Sequence, residues 1–106
     1  MSFRLLVMEQ LSKEQAQAIF KSRVWVNWTD LQILRFQLFQ THLVMPFGKY
    51  HTTLERCLGR PIYTYTLEFQ KEKLIKEFLG TNQRPTFDEI LSMIPDEVLL
   101  PNTLQV

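Results

Sequence analysis

His51 and Glu55 stand four residues apart in a stretch with helical spacing, so their side chains can touch on one helix face. Such a pair can act as an imidazole polarised by a carboxylate for general-base work, or as two ligands of a metal ion. Either role needs a further partner, and His42, Glu9 and Tyr63 are the groups the rest of the chain offers. The plainer reading is a boundary hydrogen bond that holds the helix against the chain after Gly59. Cys57, the single cysteine, falls on an apolar stripe beside Leu54 and Leu58, which predicts a small buried hydrophobe. A nucleophile there would need exposure and a base, and His51 lies six residues back on a different face. There is no glycine-rich phosphate loop, no paired-carboxylate signature and no H-E-x-x-H helix. These residues therefore predict no catalytic group, no metal and no cofactor.

The aromatic residues point elsewhere. Trp25, Trp28, Tyr63 and Tyr65 all fall in stretches read as connectors between helices, where amphipathic rings stay partly exposed. Tyr and Trp offer large contact area at small entropic cost, which favours them as anchors of protein interfaces. Arg56 and Arg60 would then form the polar rim. The same rings can instead stack on single-stranded bases, with Lys21, Arg23 and Arg60 on phosphates, or simply complete a small core.

The elements that would position these groups are marked by caps and stops. Ser12 with Gln15, Thr29 with Gln32, and Thr86 with Glu89 each fit a capping box. They predict helices over about 13–22, 30–43 and 87–94. The second, with Leu31, Ile33, Leu34, Phe36, Leu38, Phe39 and Leu43, is apolar nearly all round and reads as the central helix. Pro46 opens a third long helix with Phe47, Tyr50, Leu54, Cys57 and Leu58 on one stripe, and Gly59 and Pro61 close it. Residues 62–67, rich in β-branched and aromatic side chains, predict a strand or extended connector before a helix over about 68–79. Residues 3–8 and 97–100 predict two further short strands, plausible neighbours in one sheet. The tail over 101–106 is expected to fray.

The whole is a single domain over residues 1–106, mainly α, a bundle of about four helices with room for a minor two- or three-stranded sheet. At 45% hydrophobic and 22% charged, the chain is not of disordered composition. One cysteine and two histidines exclude a disulfide scaffold and a zinc finger. No apolar run approaches the roughly 20 residues of a membrane helix, and residues 1–10 do not read as a signal peptide. The expectation is a soluble, cytoplasmic protein. Residues 1–60 carry eight basic and four acidic groups (+4), and the remainder four basic and seven acidic (−3). The halves therefore attract one another in the fold or present faces of opposite sign to partners.

The segment Met45-Pro46-Phe47-Gly48 through His51, Leu54, Glu55, Leu58-Gly59-Arg60-Pro61 and Tyr63, followed by Pro85-Thr86-Phe87-Asp88-Glu89-Ile90-Leu91 and Ile94-Pro95, resembles small uncharacterised accessory proteins encoded in phages and prophages. The two segments span roughly half the chain. Tyr65 departs from that pattern, where a histidine is commoner. The resemblance implies context and no activity: a short accessory protein, cytoplasmic in a bacterial host, that works by binding a host factor or defence complex. The leading expectation is thus a non-enzymatic protein-binding module, which can also pair with itself as a homodimer. The alternative is weak nucleic-acid binding by the basic first 60 residues.

Overall fold

In the computed structural model, residues 8–99 are described, and among them the chain is mainly α. Seven α-helices follow in order: α1 (Lys13–Ser22), α2 (Asp30–Gln37), α3 (Phe47–Leu58), α4 (Thr64–Phe69), α5 (Lys71–Leu79), α6 (Phe87–Ser92) and α7 (Asp96–Leu99), with a 3-10 turn at Val24–Asn27.

Two of the three capping boxes form in full. Ser12 Oγ accepts from the Gln15 N–H at 3.0 Å while Gln15 Oε1 accepts from the Ser12 N–H at 2.9 Å. Thr29 and Gln32 repeat the exchange at 3.1 and 2.8 Å. The third is half a box: Thr86 Oγ1 accepts from the Glu89 N–H, but the Glu89 carboxylate turns away to grip Arg35 of α2 at 2.5 and 2.6 Å. Arg35 also donates to the Gln83 carbonyl at 2.7 Å, so one guanidinium fastens the α5–α6 connection to α2. Arg60 with Glu77 makes a second pair between the basic and acidic halves. The charge asymmetry is therefore spent in part inside the fold.

The expected helix over 30–43 stops at Gln37. Its apolar residues still reach the core, because Leu38, Phe39, Val44 and Met45 are fully buried within an irregular segment. Exposed Leu31 and Leu43 are the exceptions. Such a segment must find non-helical partners for its backbone. Gln37 and Gln40, both 1% exposed, supply them. Gln37 donates to the His42 carbonyl at 2.9 Å and accepts from the Val44 N–H at 2.8 Å. Gln40 accepts from the Leu11 N–H at 2.9 Å and donates to the Glu9 carbonyl at 3.0 Å, tying the chain before α1 to the same turn.

The minor sheet is corrected. Residues 64–69 are α4, not a strand, and 97–99 belong to α7, which packs on α1. In α4 the burial of Leu67, and in α7 the packing of partly buried Val98, override β propensity. Leu67, Leu74, Ile75 and Phe78 form one inward stripe across α4 and α5 despite the break at Gln70. The expected strand at 3–8 and the tail at 101–106 lie outside the described residues, apart from Met8.

The packing of α3 on α2 is antiparallel, with Gly59 in the left-handed conformation (φ 72°) as the helix stop. Cys57, expected to be buried, is exposed. By this turn α3 has reached the first residue of α2, where Arg56 pairs with Asp30, and no further apolar surface remains to cover the thiol.

The Arg35–Glu89 pair is better enclosed than Arg56–Asp30, with side-chain exposures of 19% and 35% against 58% and 41%. Arg35→Ala is expected to lower stability by about 1–2 kcal/mol, solvent screening included, and Arg56→Ala by less. The Arg35 guanidinium holds the Glu89 carboxyl below its ordinary range. The pair's contribution is thus present above that range and lost as pH falls through the lowered value. Urea denaturation at pH 7 and in acid checks both points; equal losses in the two variants would contradict the ranking.

Candidate functional site

The predicted site residues separate into two groups. Both indoles turn inward. Trp25 is 5% exposed, its Nε1–H donates to the Phe20 carbonyl at 3.2 Å, and its ring lies under Arg23 at 5.4 Å and Lys49 at 5.8 Å. Trp28 is half-buried against Phe36, with ring centroids 4.8 Å apart. As an exposed anchor Trp25 is therefore corrected: it is a core residue, drawn in because the 3-10 turn folds its ring beneath α1.

Both phenols turn outward. Tyr63 is 75% and Tyr65 50% exposed, and their rings stack at 5.6 Å and 8°. Phe69, four residues beyond Tyr65 and hence on the same helix face, is 76% exposed. The sequence does not single out Phe69: with 62–67 expected as a strand or connector and the helix starting only at 68, Tyr65 and Phe69 fall in different elements and their i, i+4 relation is hidden. Arg60, one residue before Pro61, lies beside this lead-in and pairs with Glu77 at 2.6 Å. Arg56 is engaged by Asp30 through both Nε and Nη2, at 2.7 and 2.9 Å.

His51 and Glu55 do come together, and the chain after Gly59 occupies both. The Ile62 carbonyl, an acceptor only, lies 2.5 Å from His51 Nε2, so that nitrogen carries the proton and donates. Glu55 Oε2 accepts from the Ile62 N–H at 2.9 Å and lies 3.5 Å from the same imidazole nitrogen. The two side chains clamp one extended residue, Ile62, by its own carbonyl and N–H, and thereby set the start of α4. Nε2 is thus unavailable as a base or metal ligand while the clamp is closed. Among the described residues no three His, Cys, Asp or Glu gather to hold a metal ion. Desolvation, with the Asp30 carboxylate, pushes the Cys57 thiol up, away from thiolate chemistry.

A cleft of about 410 Å³ runs between the irregular segment, α3 and α4, with Leu43, Phe47, Tyr50, Leu67 and Lys71 among its walls. Tyr50 is 4% exposed and its buried hydroxyl has no hydrogen-bond partner, so burial pushes the phenol strongly up. Lys71, at the start of α5, donates to the Gln37 and Gln40 carbonyls at 3.3 and 3.0 Å. Its burial pushes the ammonium down to about 8. The sequence signal for both existed: Tyr50 lies on the α3 stripe, and Lys71 is the one polar position in the inward series 67, 71, 74, 75, 78. Among the described residues no helix is long and apolar enough to cross a membrane.

No protein family, curated protein or solved structure matches the chain.

Two stability outcomes follow from the cleft. Tyr50→Phe removes an unpaired buried hydroxyl and is expected to leave stability unchanged or raise it by about 1 kcal/mol; a loss of that size in thermal or urea unfolding would mean the hydroxyl is partnered in solution. Lys71 binds its proton less tightly folded than unfolded, so between about pH 8 and the ordinary lysine value of 10.5 the unfolded chain holds more protons and stability rises with pH. Relative to Lys71→Met, the natural protein is expected to gain up to about 3 kcal/mol across that window; a flat difference would refute the desolvated ammonium.

Proposed function

We propose that this protein is a non-enzymatic binding module that captures another protein through the aromatic face of α4 and its lead-in, in the phage or prophage accessory setting that the sequence resemblance implies. One observation carries the reading: Tyr63, Tyr65 and Phe69 stand exposed within seven consecutive residues, each more so than Phe20, Val26, Leu31 and Leu43, the other exposed large apolar side chains. Exposed aromatic rings grouped this closely are the usual anchors of protein interfaces. Support also comes from the Ile62 clamp, which holds the start of this face in one conformation and so reduces the entropy lost on binding. The engagement of His51 and Glu55 by backbone groups favours a binding role over a catalytic one. The alternative, nucleic-acid binding by the basic half, is weakened by the use of Arg56, Arg60 and Arg35 in ion pairs and of Arg23 over Trp25.

The test is affinity capture from a host lysate with the natural protein, with Tyr63→Ala/Tyr65→Ala, with Phe69→Ala and with Trp25→Ala. The α4 variants are expected to keep the helical dichroism and lose at least tenfold in partner recovery. Trp25→Ala is expected to unfold, since truncating a buried Trp costs about 3–5 kcal/mol. Undiminished recovery by folded α4 variants would refute the reading. So would recovery of nucleic acid alone, released steeply by added salt. Light scattering of the purified protein tells whether the captured chain is a second copy.

A further inference from the structure

The cleft beside α4 carries an inference independent of protein capture. Lys71 brings a cation to its wall, and an ammonium has three N–H donors. Two are taken by the neutral carbonyls of Gln37 and Gln40. Among the described residues no carboxylate lies within ion-pair distance of it. One donor and the whole positive charge are therefore without an anionic partner. A desolvated charge in that position gains strongly from a counter-ion.

The rest of the cleft restricts what that counter-ion can be. Leu43, Phe47, Tyr50 and Leu67 make one side of the cleft apolar, Thr41, Thr64 and Glu68 line the rest, and about 410 Å³ is the size of a small-ligand pocket. Past Lys71 the cleft continues into a second trough; Glu68 lines both, and Glu72 flanks the second. Two carboxylates on that side oppose a second negative charge and a dianion alike. The favoured occupant carries one negative charge at one end and hydrocarbon at the other, with the hydrocarbon running toward Phe47.

We propose that this cleft binds a small apolar monocarboxylate, of the class of medium-chain fatty acids, with its carboxylate on the Lys71 ammonium and its chain against Leu43, Phe47 and Leu67.

The test is calorimetric titration of the full chain at pH 7 with octanoate, octanol and octylammonium. Octanoate is expected to saturate at one per chain and to bind at least about tenfold more tightly than octanol, the measure of a charge-assisted hydrogen bond. Octylammonium is expected to bind weakest. Lys71→Gln keeps donors for the two carbonyls without the charge, and is expected to bring octanoate down to the level of octanol. Glu68→Gln is expected to tighten octanoate by removing a negative charge from the mouth. Octanol equal to octanoate on the natural protein would overturn the proposal, as would preference for octylammonium, uptake without saturation, or no binding. The three-ligand comparison needs no variant, so it decides the matter even where Lys71→Gln fails to fold. Because it reads small-molecule affinity, its failure leaves protein capture by Tyr63, Tyr65 and Phe69 untouched.

Discussion

Everything in this fold is arranged around a stretch of buried backbone that is not helical. Leu38, Phe39, Val44 and Met45 are completely enclosed, yet their segment runs between the end of α2 and the start of α3 without a regular hydrogen-bond ladder. Left without partners, its buried N–H and C=O groups would cost several kcal/mol, a sizeable part of the stability of a small domain. The amides of Gln37 and Gln40 carry donor and acceptor together and so serve both kinds of backbone group at once. Gln10 adds a third reach, donating to the Phe39 carbonyl and accepting from the Thr41 N–H at 3.0 and 2.7 Å. A Leu at position 37 or 40 would add apolar area and orphan several backbone groups, a poor exchange.

The same requirement draws the half-buried Lys71 against this segment. The Gln37 and Gln40 carbonyls, which already accept from the Gln40 N–H and the Gln37 amide at 3.3 Å each, also take its ammonium, which links α5 to the segment. A neutral donor would have met this need without the desolvation penalty of a charge. The lysine therefore does more than the backbone demands, and its unbalanced charge distinguishes the cleft from an ordinary packing defect. The ion pairs Arg35–Glu89 and Arg60–Glu77 contrast with it: there each cation meets a carboxylate, and they join the basic first half to the acidic second half without leaving charge over.

How much of this was legible in the sequence depends on the range of the interaction that decides each element. Local signals read correctly. Ser12 with Gln15, Thr29 with Gln32, and Gly59 before Pro61 act within one turn, and each forms as its spacing predicts. Thr86 with Glu89 read half correctly, because Arg35, 54 residues away, outbids the local N–H for the carboxylate. The helix of residues 30–43 was overextended, since the apolar residues that continue past Gln37 give no hint that Leu38 and Phe39 are buried in a turn served by two glutamines, with residues 41–43 exposed beyond it. Residues 64–67 and 97–99 went wrong by β propensity, a weak preference that tertiary packing overrides, whereas 68 and 69 are helical as expected. The outward phenols were legible and the inward Trp25 was not; Lys71 lay on the inward series of the expected helix over 68–79, while Phe69 joined Tyr65 on one face only because α4 begins at Thr64.

The His51–Glu55 pair shows how residues of catalytic type can be engaged in holding backbone instead. Gripping Ile62 by its carbonyl and its N–H, they fix the direction in which the chain leaves α3. The next residue is Tyr63, whose ring lies flat against Tyr65 at the head of α4. Burying one more Phe or Tyr side chain would contribute about 1.5–3 kcal/mol, and a polar residue at position 69 would leave the inward stripe of Leu67, Leu74, Ile75 and Phe78 unchanged. Folding therefore accounts neither for three exposed rings nor for the care with which their lead-in is held. A fixed start to a six-residue helix restricts the conformations those rings can search, a restriction that adds little to the core and that, in the proposed binding role, lowers the entropy lost on contact.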